Sequence, residues 1–225
     1  SVRSHITGSL RGHTQEVCGL AWDAPGRLLA SGGNDNTINV WEPQGRGGAP
    51  AGGAASVASA SPALRWRFEA HTAAVKALAW CPWNPAVLAS GGGTADGSIR
   101  LWNGHTGAAL HSVATGSQVC ALAWSRHERE LVSSHGGADP RLTLWRGAGL
   151  AKVADVRGHA GRALHLAVSP DGRTLASAGA DETLRFWPMF GPDAAPGART
   201  GGVSASAKAG VAKAGGMAGR PVTVR

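Results

Sequence analysis

The chain contains no run of about 18 or more consecutive apolar residues, which excludes a membrane-spanning helix. No charged-then-apolar segment near the start marks a secretory signal. The sequence opens at Ser1 rather than at methionine, so an upstream part is expected to be missing. Cysteine is scarce: Cys18, Cys81 and Cys120 form an odd set without metal-type pairing, a usage that fits a reducing compartment. His5, His105, His111, His127, His135 and His165 have no metal-ligand spacing and are expected in turns or at the surface. Gly91-Gly92-Gly93-Thr94 lacks the lysine that a phosphate-binding loop needs, and glycines at tight turns explain it more simply. No metal and no cofactor are expected.

Acidic residues are also few, which leaves a formal charge of +8 over 225 residues. A basic chain attracts phosphate. Here the arginines are scattered, and no interleaving of aromatic and basic residues offers a stacking platform for bases. Solubility and steering toward acidic partners account better for the charge than nucleic-acid recognition does.

What the sequence does contain is a repeat. Aligned on tryptophan, Val17-Cys18-Gly19-Leu20-Ala21-Trp22 recurs as Val75–Trp80 and Val119–Trp124, and again, without the tryptophan, as Ala163–Val168. Such short apolar runs are expected for strands buried on both faces. Second runs follow at Leu28–Ser31, Val87–Ser90, Leu131–Ser134 and Leu175–Ser177, and third runs end at Trp41, Trp102, Trp145 and Trp187. The most specific feature is a constant interval from Asp35 to Trp41, Asp96 to Trp102, Asp139 to Trp145 and Asp181 to Trp187. His13, His71 and His159 open three of the units, whereas the third has Gly116-Ser117 in that place. A period of about 40–45 residues with a Gly-His opening and a closing tryptophan marks the four-stranded blade of a WD-repeat β-propeller.

In such a blade the turn aspartate, the opening histidine, a strand serine and the strand tryptophan are expected to form one buried hydrogen-bonded chain. The sets are His13, Ser31, Asp35 and Trp41; His71, Asp96 and Trp102; Asp139 and Trp145; and His159, Ser177, Asp181 and Trp187. A Ser-His-Asp trio invites a nucleophilic-triad reading, but this one recurs in every blade, whereas an active site is singular. A structural role, and a protein that is not an enzyme, is expected. Cys18 and Cys120 share a repeat position and read as small core filler.

The chain divides into an outer strand of a preceding blade at 1–12, a first blade at 13–70 and further blades at 71–115 and 116–157. A last blade at 158–190 shows no outer strand, and a basic tail at 191–225 is expected to be flexible. The insert Gly45 to Pro62 is rich in Gly, Ala, Ser and Pro and reads as a flexible loop. His5 to Leu10 has the place of an outer strand with no blade of its own, so about four blades of a larger ring are expected. Open terminal blades would expose apolar faces and strand edges, and such a piece is expected to be marginal or aggregation-prone alone.

Residues outside the repeat pattern identify a family. His13-Thr14-Gln15-Glu16-Val17-Cys18-Gly19-Leu20, Ser31-Gly32-Gly33-Asn34-Asp35-Asn36, Trp80-Cys81-Pro82-Trp83, Thr115-Gly116-Ser117-Gln118-Val119-Cys120 and Ser133-Ser134-His135-Gly136 resemble fizzy-type activators of the anaphase-promoting complex. Trp80-Cys81-Pro82-Trp83 leans toward the cell-division-cycle-twenty branch. The resemblance covers most of residues 11–187. It implies the last four blades of a seven-bladed propeller that captures KEN-box and destruction-box degrons of substrates such as cyclins and securin. It also implies a ubiquitin ligase as partner, spindle checkpoint proteins as competitors, and a place in nucleus and cytoplasm.

Carried over residue by residue, the resemblance assigns the KEN-box surface to Asn34, Asn36, Thr94, Gln118 and Arg162, and the destruction-box arginine to Glu182. The first five are all expected in inter-strand turns on one rim, the rim of the repeated aspartates. The closing Val224-Arg225 resembles the family's ligase-docking Ile-Arg. The chain departs from the family at Gly137-Ala138-Asp139-Pro140-Arg141, where a turn is altered, and at Gly97 and Ala163. The N-terminal ligase-binding box is not within these residues. A generic WD scaffold, a truncated inactive copy and a basic nucleic-acid-binding protein remain alternatives.

Overall fold

A computed structural model of the chain describes residues 9–42 and 63–190. Within them are fifteen strands and no helix. β1 (Val17–Trp22), β2 (Leu29–Gly33), β3 (Ile38–Glu42) and β4 (Ala63–Phe68) form the first antiparallel sheet. β5 (Val75–Trp80), β6 (Val87–Gly92), β7 (Ser98–Asn103) and β8 (Ala109–Ala114) form the second. β9 (Val119–Trp124), β10 (Glu130–His135), β11 (Leu142–Arg146) and β12 (Ala151–Val156) form the third. β13 (Ala163–Val168), β14 (Thr174–Gly179) and β15 (Leu184–Pro188) form the last, which has three strands among the described residues. The Gly45–Pro62 insert, the tail from 191 and most of the His5–Leu10 stretch lie outside the described residues. Ser9 and Leu10 belong to no strand.

Each sheet is a meander, and the sheets meet face to face in chain order, with β1 against β5, β5 against β9 and β9 against β13. Ile38 and Val40 of β3 pack with Val75 and Trp80 of the next blade. Ile99 and Leu101 of β7 do the same with Val119, Leu122 and Trp124. Leu142 and Leu144 of β11 meet Ala163, with Leu166 and Val168 beside them. Glycines in the second strands permit this approach: a Cβ on Gly32 would run into the Val75 carbonyl, and one on Gly91 into the Val119 side chain. Across the junctions, the Trp80 indole donates to the Ala21 carbonyl at 3.0 Å and the Trp124 indole to the Ala79 carbonyl at 3.0 Å.

Two irregularities recur. Every first strand carries a bulge at its second residue: Cys18, Lys76, Cys120 and Leu164 are skipped in the ladder to the second strand. Every described fourth strand carries one near the closing tryptophan of its partner, at Arg65, Leu110 and Val153. A bulge bends a strand and sharpens its twist, and its repetition gives the blades a common shape.

The expectation that all first strands are buried on both faces is corrected at the ends. β9 is buried almost throughout, but Val17, Leu20 and Trp22 of β1 are exposed. So are Leu184 and Phe186 of β15, because no further blade among the described residues covers these faces.

Candidate peptide-binding rim

A meander of four strands returns the chain to one edge at each β2–β3-type turn and at each crossing to the next blade. Asn34, Asn36, Thr94 and Glu182 occupy the former and Gln118 and Arg162 the latter, so antiparallel topology alone puts all six on one rim. Beneath it lie the hydrogen-bonded chains that hold the turns.

In the first blade the Trp41 indole donates to Ser31 Oγ at 2.8 Å. Ser31 Oγ is 2.8 Å from His13 Nε2, and His13 Nδ1 is 3.0 Å from Asp35 Oδ1. Because tryptophan only donates, one proton arrangement fits: Trp N–H to Ser, Ser O–H to Nε2, and Nδ1–H to the carboxylate. Asp35 also accepts from the Thr14 N–H (2.9 Å) and the Thr37 hydroxyl (2.9 Å). Burial pushes its pKa up, but the bonds from Thr14, His13 and Thr37 outweigh burial and hold it below the ordinary carboxylate range.

The second blade repeats this with Trp102 donating to Ser90 (2.8 Å), His71 Nε2 at 2.7 Å from that hydroxyl, and Asp96 on His71 Nδ1. Burial lowers the His71 pKa, against the opposing pull of Asp96. The last blade uses Trp187 to Ser177 (2.8 Å), His159 Nε2 to Ser177 (2.7 Å) and His159 Nδ1 to Asp181 (3.0 Å). Burial raises the Asp181 pKa and the bonds from Ala160, Thr183 and His159 more than reverse it. In all three blades the serine is buried and its hydroxyl is engaged on both sides. Ser90 is absent from the expected set, although it ends its second run as Ser31 and Ser177 end theirs.

The third blade differs, and the expected place of Asp139 in its network is corrected. Trp145 donates to Ser133 Oγ at 2.7 Å and His135 Nε2 lies 2.7 Å from that hydroxyl. The histidine therefore comes from β10 itself, two residues after the serine and on the same face of the strand. His135 is fully buried, which also corrects its expected surface or turn location. Its Nδ1 has no partner among the described residues. Burial, reinforced by the nearby Arg141, lowers its pKa to about 4. Asp139 instead lies at the surface, gripped by Arg157 through two bonds of 2.9 Å and by Arg141 at 3.1 Å. The Arg157 bonds are the main cause of its lowered pKa.

The third unit lacks the opening histidine, with Gly116-Ser117 in its place, and the residue after the turn aspartate differs as well. Asn36, Gly97 and Glu182 have φ of 63°, 56° and 60°. The third blade has Pro140 there, whose ring fixes φ near −65° and cannot enter that region. With neither the histidine nor the left-handed residue, Asp139 turns to Arg157 and Arg141 instead. Asn36 and Glu182 thus hold a left-handed backbone that glycine would adopt without strain.

Above the networks, the residues just before the first strands form one column: Glu16, Ala74, Gln118 and Arg162. The carbonyls of Glu16, Gln118 and Arg162 accept from Asn34, Gly136 and Ala180 respectively, which repeats one bond around the rim. Thr94 Oγ1 donates to Gln118 Oε1 at 3.3 Å, so the second and third blades are linked. The Arg162 stem packs against Gly136, where a Cβ would come within 3.0 Å of its Cγ and Cδ. Thr94, Gln118 and Arg162 therefore form a continuous line over three blades. Asn34 Nδ2 donates to Glu16 Oε2 at 3.2 Å. Glu16 was missed in the sequence, although its column with Gln118 and Arg162 pointed to it. Glu182 is exposed in the turn that Arg162 anchors through Ala180. Val224 and Arg225 lie outside the described residues. Among the described residues no cluster of His, Cys, Asp and Glu could hold a metal.

Antiparallel four-stranded sheets packed in series, with a Trp-Ser-His chain under one rim, define a segment of a WD-repeat β-propeller. A family model described as the CDC20/Fizzy WD40 domain matches residues 1–187, and the chain belongs to that family. It is 54% identical over 192 residues to "Cell division cycle 20.5, cofactor of APC complex" of Arabidopsis thaliana, covering 84% of this chain and 40% of the relative. It is 52% identical over 189 residues to "Anaphase-promoting complex subunit cdc20" of Dictyostelium discoideum, covering 84% of this chain and 35% of the relative. The chain thus spans well under half the length of these relatives. A chain in the solved "Crystal Structure of Mitotic Checkpoint Complex" superposes with a TM-score of 0.72 at 45% identity, over 82% of this chain and 52% of that one.

Proposed function

We propose that this chain belongs to a substrate-recognition and activator subunit of the anaphase-promoting complex, and that its rim binds short degron peptides. The continuous line of Thr94, Gln118 and Arg162, with Asn34 and Asn36 on the same rim, carries this reading. The names of the relatives, cofactors and subunits of that complex, support the class. A KEN box presents a lysine, a glutamate and an asparagine to the rim. Arg162 suits the glutamate, the amides of Asn34, Asn36 and Gln118 suit the asparagine, and Glu16 supplies a carboxylate for the lysine. Glu182 suits the arginine of a destruction box.

In this role the protein binds and presents substrates such as cyclins and securin without chemistry of its own. Spindle checkpoint proteins compete for the same rim, in nucleus and cytoplasm. Anisotropy with a labelled KEN peptide tests the proposal: saturable binding is expected, and Arg162→Glu weakens it at least tenfold, about 1.4 kcal/mol. Binding unchanged in Arg162→Glu, or absent from a folded protein, refutes it. Steep salt-dependent binding to RNA in place of peptide would favour a nucleic-acid-binding protein.

A further inference from the structure

The third unit opens with Thr115-Gly116-Ser117 and no histidine, so no imidazole–carboxylate pair ties this segment down. Hydroxyls and a guanidinium do so instead. The Thr115 N–H donates to the Gly97 carbonyl at 2.8 Å, and the Thr115 hydroxyl lies 2.9 Å from that oxygen and 2.7 Å from the Ser117 carbonyl. Arg141 donates to the Thr115 carbonyl at 3.0 Å. The Ser117 hydroxyl donates to the Gly136 carbonyl, and the Gly136 N–H donates to the Gln118 carbonyl at 3.2 Å. Two bonds of opposite direction therefore join Ser117 and Gln118 to one glycine.

That glycine is also the seat of Arg162. Three residues after the network serines stand Asn34, Gly93, Gly136 and Ala180. The first blade places an amide here, whereas the third places no side chain, and the Arg162 stem runs over the bare Cα. A Cβ on Gly136 would lie 3.0 Å from both Cγ and Cδ of Arg162 and 3.2 Å from the Sγ of Cys120, which is buried. Gly136 is itself buried and does not have the positive φ of its neighbour Gly137, at 87°. Its backbone would accept alanine. What asks for glycine is the room that the Arg162 stem occupies.

We propose that Ser117 and Gly136 are positioning residues for peptide recognition on this rim. Ser117 fixes the segment that presents Gln118, and Gly136 leaves the seat that aims Arg162. Because both meet at Gly136, the amide and the guanidinium are set as one unit. The proposal rests on the degron-binding reading given above. A long side chain already held in its bound pose spares the complex the cost of ordering it, worth roughly three- to tenfold in affinity.

Anisotropy with the full 225-residue chain and two labelled peptides tests this, one carrying a KEN box and one with its glutamate replaced by alanine. Gly136→Ala, shown folded by circular dichroism, is expected to weaken the first peptide roughly three- to tenfold. It leaves the second unchanged, because that peptide has no partner for Arg162, and it has no effect when Arg162→Ala is already present. Ser117→Ala weakens both peptides, and Ser117→Thr, which keeps the hydroxyl, restores them. Should Gly136→Ala not fold, the two Ser117 variants carry the test. Equal losses with both peptides in Gly136→Ala, or the same loss on top of Arg162→Ala, would show a merely structural role and overturn the proposal. KEN binding unchanged in folded Gly136→Ala or in Ser117→Ala would overturn it too, and would leave the degron reading standing. A folded wild-type chain that binds neither peptide overturns both.

Discussion

The second and third blades share a ladder, a serine and a closing tryptophan, yet they hold their rim turns by different means. In the second, Asp96 is buried under the turn, locked on His71 and on the Thr72 N–H. In the third, Asp139 is half exposed and serves as a surface clamp between Arg157 and Arg141. Two differences separate them: the third unit has Gly116-Ser117 where the second has its opening His71, and Pro140 cannot take the positive angle of Gly97. The repeated aspartate acts as a fastener in the blades that keep both the opening histidine and a left-handed residue after the aspartate.

Removing the two aspartates in turn separates the two blades most clearly. Asp96→Ala leaves His71 buried without its partner and is expected to cost about 3 kcal/mol in urea denaturation. Asp139→Ala removes a solvent-screened pair and should cost less than about 1 kcal/mol. Equal losses would show that the third turn relies on its carboxylate as the others do.

Acid titration sharpens the same contrast. His135, lowered from 6.5 to about 4, is neutral in the folded state where the unfolded chain takes up a proton. Stability is full above about pH 6.5 and falls as pH drops toward 4, by roughly 2–3 kcal/mol at most. His71, also lowered by burial, adds to the loss in the same direction. The aspartates Asp35 and Asp181, held below their ordinary values, withdraw their contribution only below about pH 4. Melting curves from pH 7 to 4.5 should slope downward, and His135→Gln should flatten them. A slope unchanged in that variant would assign the effect elsewhere.

The smallest expected effect concerns the strained turns. Glu182→Gly relieves a left-handed glutamate and should stabilise the last blade by about 1 kcal/mol, while removing the charge proposed for a destruction-box arginine. No gain in stability would mean that the turn is held without strain.

The fold class was legible because the repeat carries its own spacing. The runs at 17–22, 75–80, 119–124 and 163–168 are strands as they stand. The third network was not legible from that spacing. Asp139 keeps the interval to Trp145, and spacing does not report a φ angle. Pro140 held the clue, since a proline cannot follow an aspartate in this turn type. His135 was hidden because its partner Ser133 is two residues away on one strand, a proximity that a search for a histidine at the unit's start overlooks. The line from Thr94 to Arg162 depends on how adjacent blades abut, which no single repeat contains.

The bulge at the second residue of every first strand has a consequence for how such a rim can change over time. An extra residue held out of the ladder acts like a notch on a ratchet: sliding the strand by one position would have to undo it and turn every apolar side chain to the wrong side. Substitutions just upstream, at Glu16, Ala74, Gln118 and Arg162, are thereby insulated from the sheets. One column can run from acid through alanine and amide to guanidinium while the strands beneath stay in step.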